Sequence, residues 1–228
     1  MSALQLTVVQ LALATGAQRS RASAMFEGLN DAIELFNINT EARVGMLLTN
    51  VGHETLRLRY LSEVWGPTKQ QRRYERDFTK PWPSTPAEEK RARDRDPHFA
   101  ANRLAWVLGN DAKGDGKRYA GHGFLQNTGK TNHRLATQRL RKRLPMLQVP
   151  DFELAPSQLA TPYWGWMAAA EYAERVGCWE AADEGRFDNF CDLINLGRET
   201  SAEGDSNGYE DRLALWQEFN ERGGLAAA

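Results

Sequence analysis

The chain has 228 residues, 41% hydrophobic and 26% charged, enough to bury one large core or two small ones. Its 29 Lys and Arg against 30 Asp and Glu give a formal charge of -1, which excludes a global electrostatic pull toward nucleic acid or a membrane surface. Cys178 and Cys191 are too few for a disulfide scaffold and form no CxxC pair for zinc; they read as two ordinary thiols, with a single bridge between them left open.

The opening stretch, Met1 to Thr15, lacks a basic start, and Gln5 and Gln10 interrupt its apolar run. It therefore reads as a short amphipathic helix over Leu4–Ala14, not as a secretory signal. No stretch reaches the roughly 18 apolar residues of a membrane span, so the expected starting point is the cytoplasm. Ala24, Phe26, Leu29, Ala32, Ile33 and Phe36 recur at helical intervals and predict a second helix over Ala22–Phe36. Asn39 and Thr40 offer cap oxygens and Glu41 suits a first turn, so a third helix starts there with Val44, Leu47, Leu48 and Val51 on one stripe.

Residues 66–100 differ. Gly66-Pro67, Pro81-Trp82-Pro83 and Thr85-Pro86 break regular structure, and charges cluster from Glu88 to Asp96. The pattern predicts a long loop with a short helix near Ala87–Arg95. Ala100–Leu108 follows as helix, Gly109–Gly129 as glycine-rich loop or irregular strand, and Asn132–Leu144 as a basic helix ending before Pro145. Pro162–Val176 is an apolar, aromatic helix stopped by Gly177; Arg186–Leu193 and Glu210–Glu221 are two more. With weak strand signals, no internal repeat and no linker, the class is all-α: one domain over residues 1–228 with a large inserted loop.

Glu54 follows Leu47 and Val51 at spacings of four and three, placing its carboxyl at the end of a stripe that should be buried. Burial disfavours the charged form, and a carboxyl kept protonated is what a glycosidic leaving oxygen needs. A solvated helix-end Glu, or one paired with Arg, fits the same spacing. His53-Glu54 is not a zinc-protease motif, because Arg57 stands where the second His is required. Glu63, nine residues on, can face Glu54 if the chain turns back after Thr55 and would then serve as a general base. As a lone residue it is a surface Glu.

The run Gly114 to Gln126 fails three other templates. No Gly-Lys-Ser/Thr closes a phosphate loop, Gln126 replaces the third glycine of a dinucleotide fingerprint, and Lys113 and His122 occupy ligand positions of a calcium loop. What remains is tight backbone presenting Tyr119, His122, Gln126 and Asn127, residue types that stack on sugars or bond their hydroxyls. The basic helix (Arg134, Arg139, Arg141, Lys142, Arg143) is either a solvated face or a contact for anionic envelope polymer; no nucleic-acid motif accompanies it.

Several pieces occur in a telling order: Val51-Gly52-His53-Glu54-Thr55, Tyr60-Leu61-Ser62-Glu63, Trp65-Gly66-Pro67-Thr68 and Leu108-Gly109-Asn110. Then come Gly114-Asp115-Gly116-Lys117-Arg118-Tyr119, the run Gly121 to Asn132, Ile194-Asn195-Leu196-Gly197, and Asp211-Arg212. This set resembles glycoside hydrolase family 19, the chitinase-like group, and especially its bacteriophage endolysin branch, over nearly the whole chain. The resemblance implies an all-α, lysozyme-like bilobal fold with a cleft between lobes. It implies hydrolysis of a β-1,4 bond with inversion, Glu54 as general acid, Glu63 as the second carboxylate and Thr68 helping to hold the water. It carries substrate contacts onto Gln126, Thr128, Asn132, Asn195 and Arg212, beside Tyr119 and His122, which their residue types suggest.

Departures are His122 for the family's Arg, His133 after Asn132 for Tyr, and Leu196 inside the Asn-Gly-Gly motif. The resemblance implies no metal or cofactor and no nucleic acid. The expected protein is a monomer made in the host bacterial cytoplasm, acting on peptidoglycan in the periplasm once a separate pore-forming protein has opened the membrane. Chitin as substrate, a non-catalytic wall-binding protein on the same fold, and a toxin delivered between bacteria stay open beside it.

Overall fold

The computed structural model describes residues 4–226; Met1–Ala3, part of the stretch read above for a leader, and Ala227 and Ala228 lie outside the described residues. The all-α expectation is met: the chain is mostly helical, with no sheet among the described residues. In chain order the helices are α1 (Val8–Thr15), α2 (Arg19–Ala24), α3 (Leu29–Leu35), α4 (Glu41–Glu54), α5 (Lys69–Arg72), α6 (Pro86–Arg93) and α7 (Arg103–Leu108). They continue as α8 (Asp115–Arg118), α9 (Lys130–Arg143), α10 (Pro162–Val176), α11 (Cys178–Asp183), α12 (Phe187–Leu196) and α13 (Tyr209–Glu221). The chain forms two compact units. Among the described residues the first comprises 4–61, Gly123–Leu125 and 160–226; the second comprises Ser62–His122 and Gln126–Leu159.

In the first unit α4 is the central helix, packed against α1, α11, α12 and α13. The Thr40 hydroxyl accepts from the Arg43 N–H and caps it, as its sequence predicts. Val44, Leu47, Leu48 and Val51 are all buried. Two glycines inside α4 cost about 1 kcal/mol each relative to alanine. Close packing accounts for both. A Cβ on Gly45 would lie 2.4 Å from the Trp216 ring, and one on Gly52 would lie 2.6 Å from the Thr15 carbonyl oxygen.

The helix predicted over Ala22–Phe36 is split into α2 and α3. Gly28 takes φ +81°, a Cβ there would meet the Tyr163 Cα at 2.7 Å, and the Trp166 indole N–H donates to the Met25 carbonyl at 2.7 Å. Residues of α10, far along the chain, thus break a helix that local periodicity would have continued. The α10 helix itself has the predicted bounds, with Pro162 at its first position and Gly177 left-handed at its end. Phe124 is buried in this unit, stacked on Trp166 with ring centroids 3.8 Å apart.

In the second unit the expected long loop is a built segment. Residues 66–100 carry α5, α6 and a 3-10 turn at Pro97–Phe99. The buried Asn102 side chain donates to the carbonyls of Asp77, Lys80 and Pro81 and accepts from the Asp77 N–H, pinning the stretch before α6. Arg76 lies over the rings of Phe78 and Trp82, 4.6 and 4.4 Å from their centroids. A capping box between Thr85 and Glu88 starts α6.

Candidate functional site

Glu54 is the last residue of α4, with its side chain 21% exposed. Of the settings that fit its spacing, the structure has the one paired with an Arg. Instead the buried Arg212 guanidinium, 1% exposed, donates to Glu54 Oε1. Arg212 is fixed in turn: it donates to Asn50 Oδ1 at 2.6 Å and to the Asn207 carbonyl at 3.2 Å. Asn195, one of the residues expected to bind sugar, accepts from the Asn207 N–H at 2.9 Å and so steadies the loop beneath Arg212. Glu54 Oε2 makes no hydrogen bond to a described residue.

Directly after Glu54 the backbone turns left-handed. Leu56, Arg57 and Leu58 have φ of 49°, 63° and 58°. For non-glycine residues this costs about 1–2 kcal/mol each, and such strain clusters at functional sites. Thr55 holds the turn: its hydroxyl donates to the Val51 carbonyl at 2.7 Å and accepts from the Leu58 N–H at 2.9 Å. Arg57 grips Asp211 with two bonds of 2.9 and 2.6 Å, and His53 Nδ1 lies 2.7 Å from the same carboxylate. The Arg57 guanidinium, with help from His53, pulls the Asp211 carboxyl down to about 2. Gly208 must lack a side chain because its Cβ would fall 2.1 Å from the His53 ring.

Glu63 belongs to the second unit and is held differently. Its Oε1 accepts from Gln71 Nε2 at 3.0 Å and its Oε2 from the Gly121 N–H at 3.1 Å. Its own N–H donates to the Gly121 carbonyl at 2.8 Å. The buried Gln71 also donates to the Val64 carbonyl and accepts from the N–H groups of Gly66 and Thr68. Beside them the Tyr74 hydroxyl is pushed up by burial and by the Glu63 carboxylate. Gly121 has no room for a side chain, since a Cβ would lie 2.3 Å from Gln126 Oε1.

The remaining expected site residues are placed as follows. The exposed Thr68 is the N-cap of α5, its hydroxyl accepting from the Gln71 N–H at 3.2 Å. Tyr119 does not present an aromatic face: it is buried and donates to the Glu153 carbonyl at 2.9 Å. His122 Nδ1 lies 3.1 Å from Nε2 of the buried His133, whose Nδ1 faces the Gly129 carbonyl at 2.9 Å. A carbonyl only accepts, so His133 carries its proton on Nδ1 and accepts from His122 at Nε2. Burial lowers both imidazoles, His133 to about 4. Gln126 takes φ 50°, and the Thr128 hydroxyl donates to its carbonyl at 3.2 Å. Asn132 is exposed and donates to the Thr128 carbonyl at 2.6 Å.

The residues that pattern alone missed are Asn50, Thr55, Gln71, Asp211 and Glu75. Glu75 accepts from the N–H groups of Gly114 and Gly116. The glycine-rich run does cradle an anion, but the anion is the chain's own carboxylate. On the basic helix, Arg141 donates to the Val149 carbonyl and Arg134 lies 4.0 Å from Glu153. Both cysteines are buried and unbridged. Among the described residues no group of three or more His, Cys, Asp or Glu side chains is placed to hold a metal, and no helix is long and apolar enough to cross a membrane. No protein-family model matches the chain, and no curated protein is significantly similar to it.

Proposed function

We propose that the protein is an endolysin-type peptidoglycan hydrolase of the family 19 kind, which cleaves a β-1,4 glycosidic bond with inversion during host lysis. The observation that supports this best is the state of Glu54. One of its oxygens is fixed by a buried guanidinium that also holds Asn50 and the Asn207 carbonyl, while the other makes no hydrogen bond to a described residue. A carboxyl held in this way presents its second oxygen in a fixed orientation, as a group that exchanges a proton with a leaving oxygen requires. Glu63 is the proposed base. Its hydrogen-bonding partners orient it with neutral donors, a side-chain amide and a backbone N–H, toward a water in the proposed reaction. In this scheme Arg212 and Asn195 support the acid, and Gln71 and Gly121 support the base. The substrate is the peptidoglycan polysaccharide, and the membrane is opened by a separate pore-forming protein.

The test is lysis of permeabilised Gram-negative cells by the wild type and by Glu54→Gln, with circular dichroism as the control for folding. Loss of clearing with a retained spectrum is expected. Undiminished clearing by the variant would overturn the assignment. Mass spectrometry of digested peptidoglycan and of digested chitin, run in parallel, names the bond. Products from chitin alone would replace peptidoglycan by chitin as the substrate, and binding without any product would remove catalysis.

A further inference from the structure

The loop between α12 and α13 gathers oxygen atoms with too few protons to share. The Thr200 hydroxyl lies 3.0 Å from Asp192 Oδ2, 3.0 Å from Asp205 Oδ1 and 3.2 Å from the Ala202 carbonyl oxygen. It has one proton for three acceptors, of which only Asp192 Oδ2 has a second donor, the Thr200 N–H at 3.0 Å. One turn before Asp192, Asp188 accepts from the Gly204 N–H at 2.9 Å and ties the loop to α12.

A second feature is independent of those contacts. Asp192 is wholly buried, and its other carboxylate oxygen, Oδ1, is buried with no hydrogen-bond partner. The adjoining residue of the loop, Ser206, is also buried with its hydroxyl unpartnered. A buried carboxylate oxygen without a donor costs more than an ordinary unmade hydrogen bond, so something absent from the chain itself should meet it. No described cation bonds this oxygen. Arg186 is occupied by Glu184 and Glu199, and Arg212 by Glu54, Asn50 and Asn207.

We propose that Asp192, Asp205, the Thr200 hydroxyl and the Ala202 carbonyl form a binding site for a divalent cation, with Ca2+ the fitting ion. Oxygens bound to one Ca2+ at about 2.3–2.6 Å stand roughly 3 Å apart, the spacing found around Thr200. The mixture of carboxylate, carbonyl and hydroxyl on an irregular loop suits Ca2+ better than Mg2+, which requires near-octahedral geometry and keeps its waters. Asp205 is exposed, so the ion has an entry path and room for water ligands. The same loop carries Asn207, which bonds Asn195 and Arg212. The cation therefore orders the segment on which Glu54 is seated. The site stands on its own residues, whatever reaction Glu54 performs.

The protein is stripped with EDTA, dialysed, and melted at neutral pH with CaCl2, with MgCl2 and with EDTA; terbium luminescence excited through the aromatic residues reports binding directly. Ca2+ at a hundredfold excess over its Kd should raise Tm by about 5 °C or more, Mg2+ by less, and Ca2+ should displace terbium. Asp205→Asn, at an exposed position that leaves the fold intact, should remove the Ca2+ increment and the terbium signal. The rival arrangement is a proton shared between Asp192 and Asp205, whose burial raises the Asp192 carboxyl. A group raised in the folded state stabilises at low pH and loses that contribution as pH rises. Equal Tm in Ca2+ and EDTA, no terbium emission, and stability falling as pH rises in wild type but not in Asp205→Asn would overturn the cation site in favour of the proton.

Discussion

Around Glu54 the support is built on charge, with Arg212 bonded to it and the Arg57–Asp211 pair, joined by His53, following it in the turn. Around Glu63 the hydrogen-bonding partners are neutral, a side-chain amide and a backbone N–H, with the lowered His122 and His133 imidazoles nearby. The two settings respond to different insults. A charged support fails when one member is removed and the other is left buried and unpaired. A neutral support fails when its donors are lost or when a buried imidazole is forced to take a proton.

The largest effect should come from Arg212→Met. Removing one partner of a fully buried charge pair destabilises by about 3–5 kcal/mol; Glu54 is 21% exposed, so the low end, about 3 kcal/mol, is expected, with Asn50 and the Asn207 carbonyl also losing their donor. Urea unfolding should show this loss, and lysis should fall with it. Arg212→Lys should recover little, because an ammonium cannot span three acceptors as a planar guanidinium does. Full recovery by Lys would mean that charge alone, and not the fork, positions Glu54.

The same contrast decides what could be foreseen from sequence. Local punctuation is legible: Thr40 as a cap, Pro162 and Gly177 as the ends of α10, and the apolar stripe of α4 are read from neighbours within a few positions. The break at Gly28 is not, because it depends on Tyr163 and Trp166. Glu54 could be picked out by spacing, but its partner Arg212 lies 158 positions away. That placement came only through family resemblance, which gave Arg212 a role on the substrate and not under the acid. Tyr119 read as a sugar platform because composition cannot reveal that Glu153 would take its hydroxyl. Thr68 also carries a local signal, a Thr followed three positions later by Gln, and the structure places it as the N-cap of α5.

Acid should separate the two settings next. His133 has a folded value of about 4 against 6.5 for an ordinary histidine, so between these the folded state binds fewer protons than the unfolded chain. Its contribution is full above about pH 6.5 and is lost as pH falls toward 4, amounting to roughly 3 kcal/mol at the end of that range. His133→Asn keeps a donor for the Gly129 carbonyl and removes the titration. Stability measured against pH should be flatter over this window in the variant. Identical curves would show that the imidazole is not held neutral.

Gln71→Met tests the neutral support directly. It strips Glu63 of one donor and leaves the Gly66 and Thr68 N–H groups without their acceptor, a loss of about 2 kcal/mol in denaturant titration. Activity should drop further than this loss of stability explains, measured well below the melting temperature, if orientation of Glu63 matters to the reaction. Activity unchanged at full folding would place Gln71 in the loop's architecture alone.

The smallest effect belongs to Asp211→Asn. Asp211 is paired with Arg57 and His53, yet its side chain is 43% exposed, so solvent screening limits the pair to about 1 kcal/mol or less. Its carboxyl is lowered to about 2 from 3.8, so its contribution is complete above pH 3.8 and disappears as pH falls toward 2. That window lies below the one assigned to His133. Asp211→Asn should therefore flatten the acid limb only below pH 3.8 and leave the loss between 6.5 and 4 untouched, while His133→Asn does the reverse. If the two substitutions flatten the same window, the charged and neutral settings do not titrate separately, and the contrast drawn between them fails.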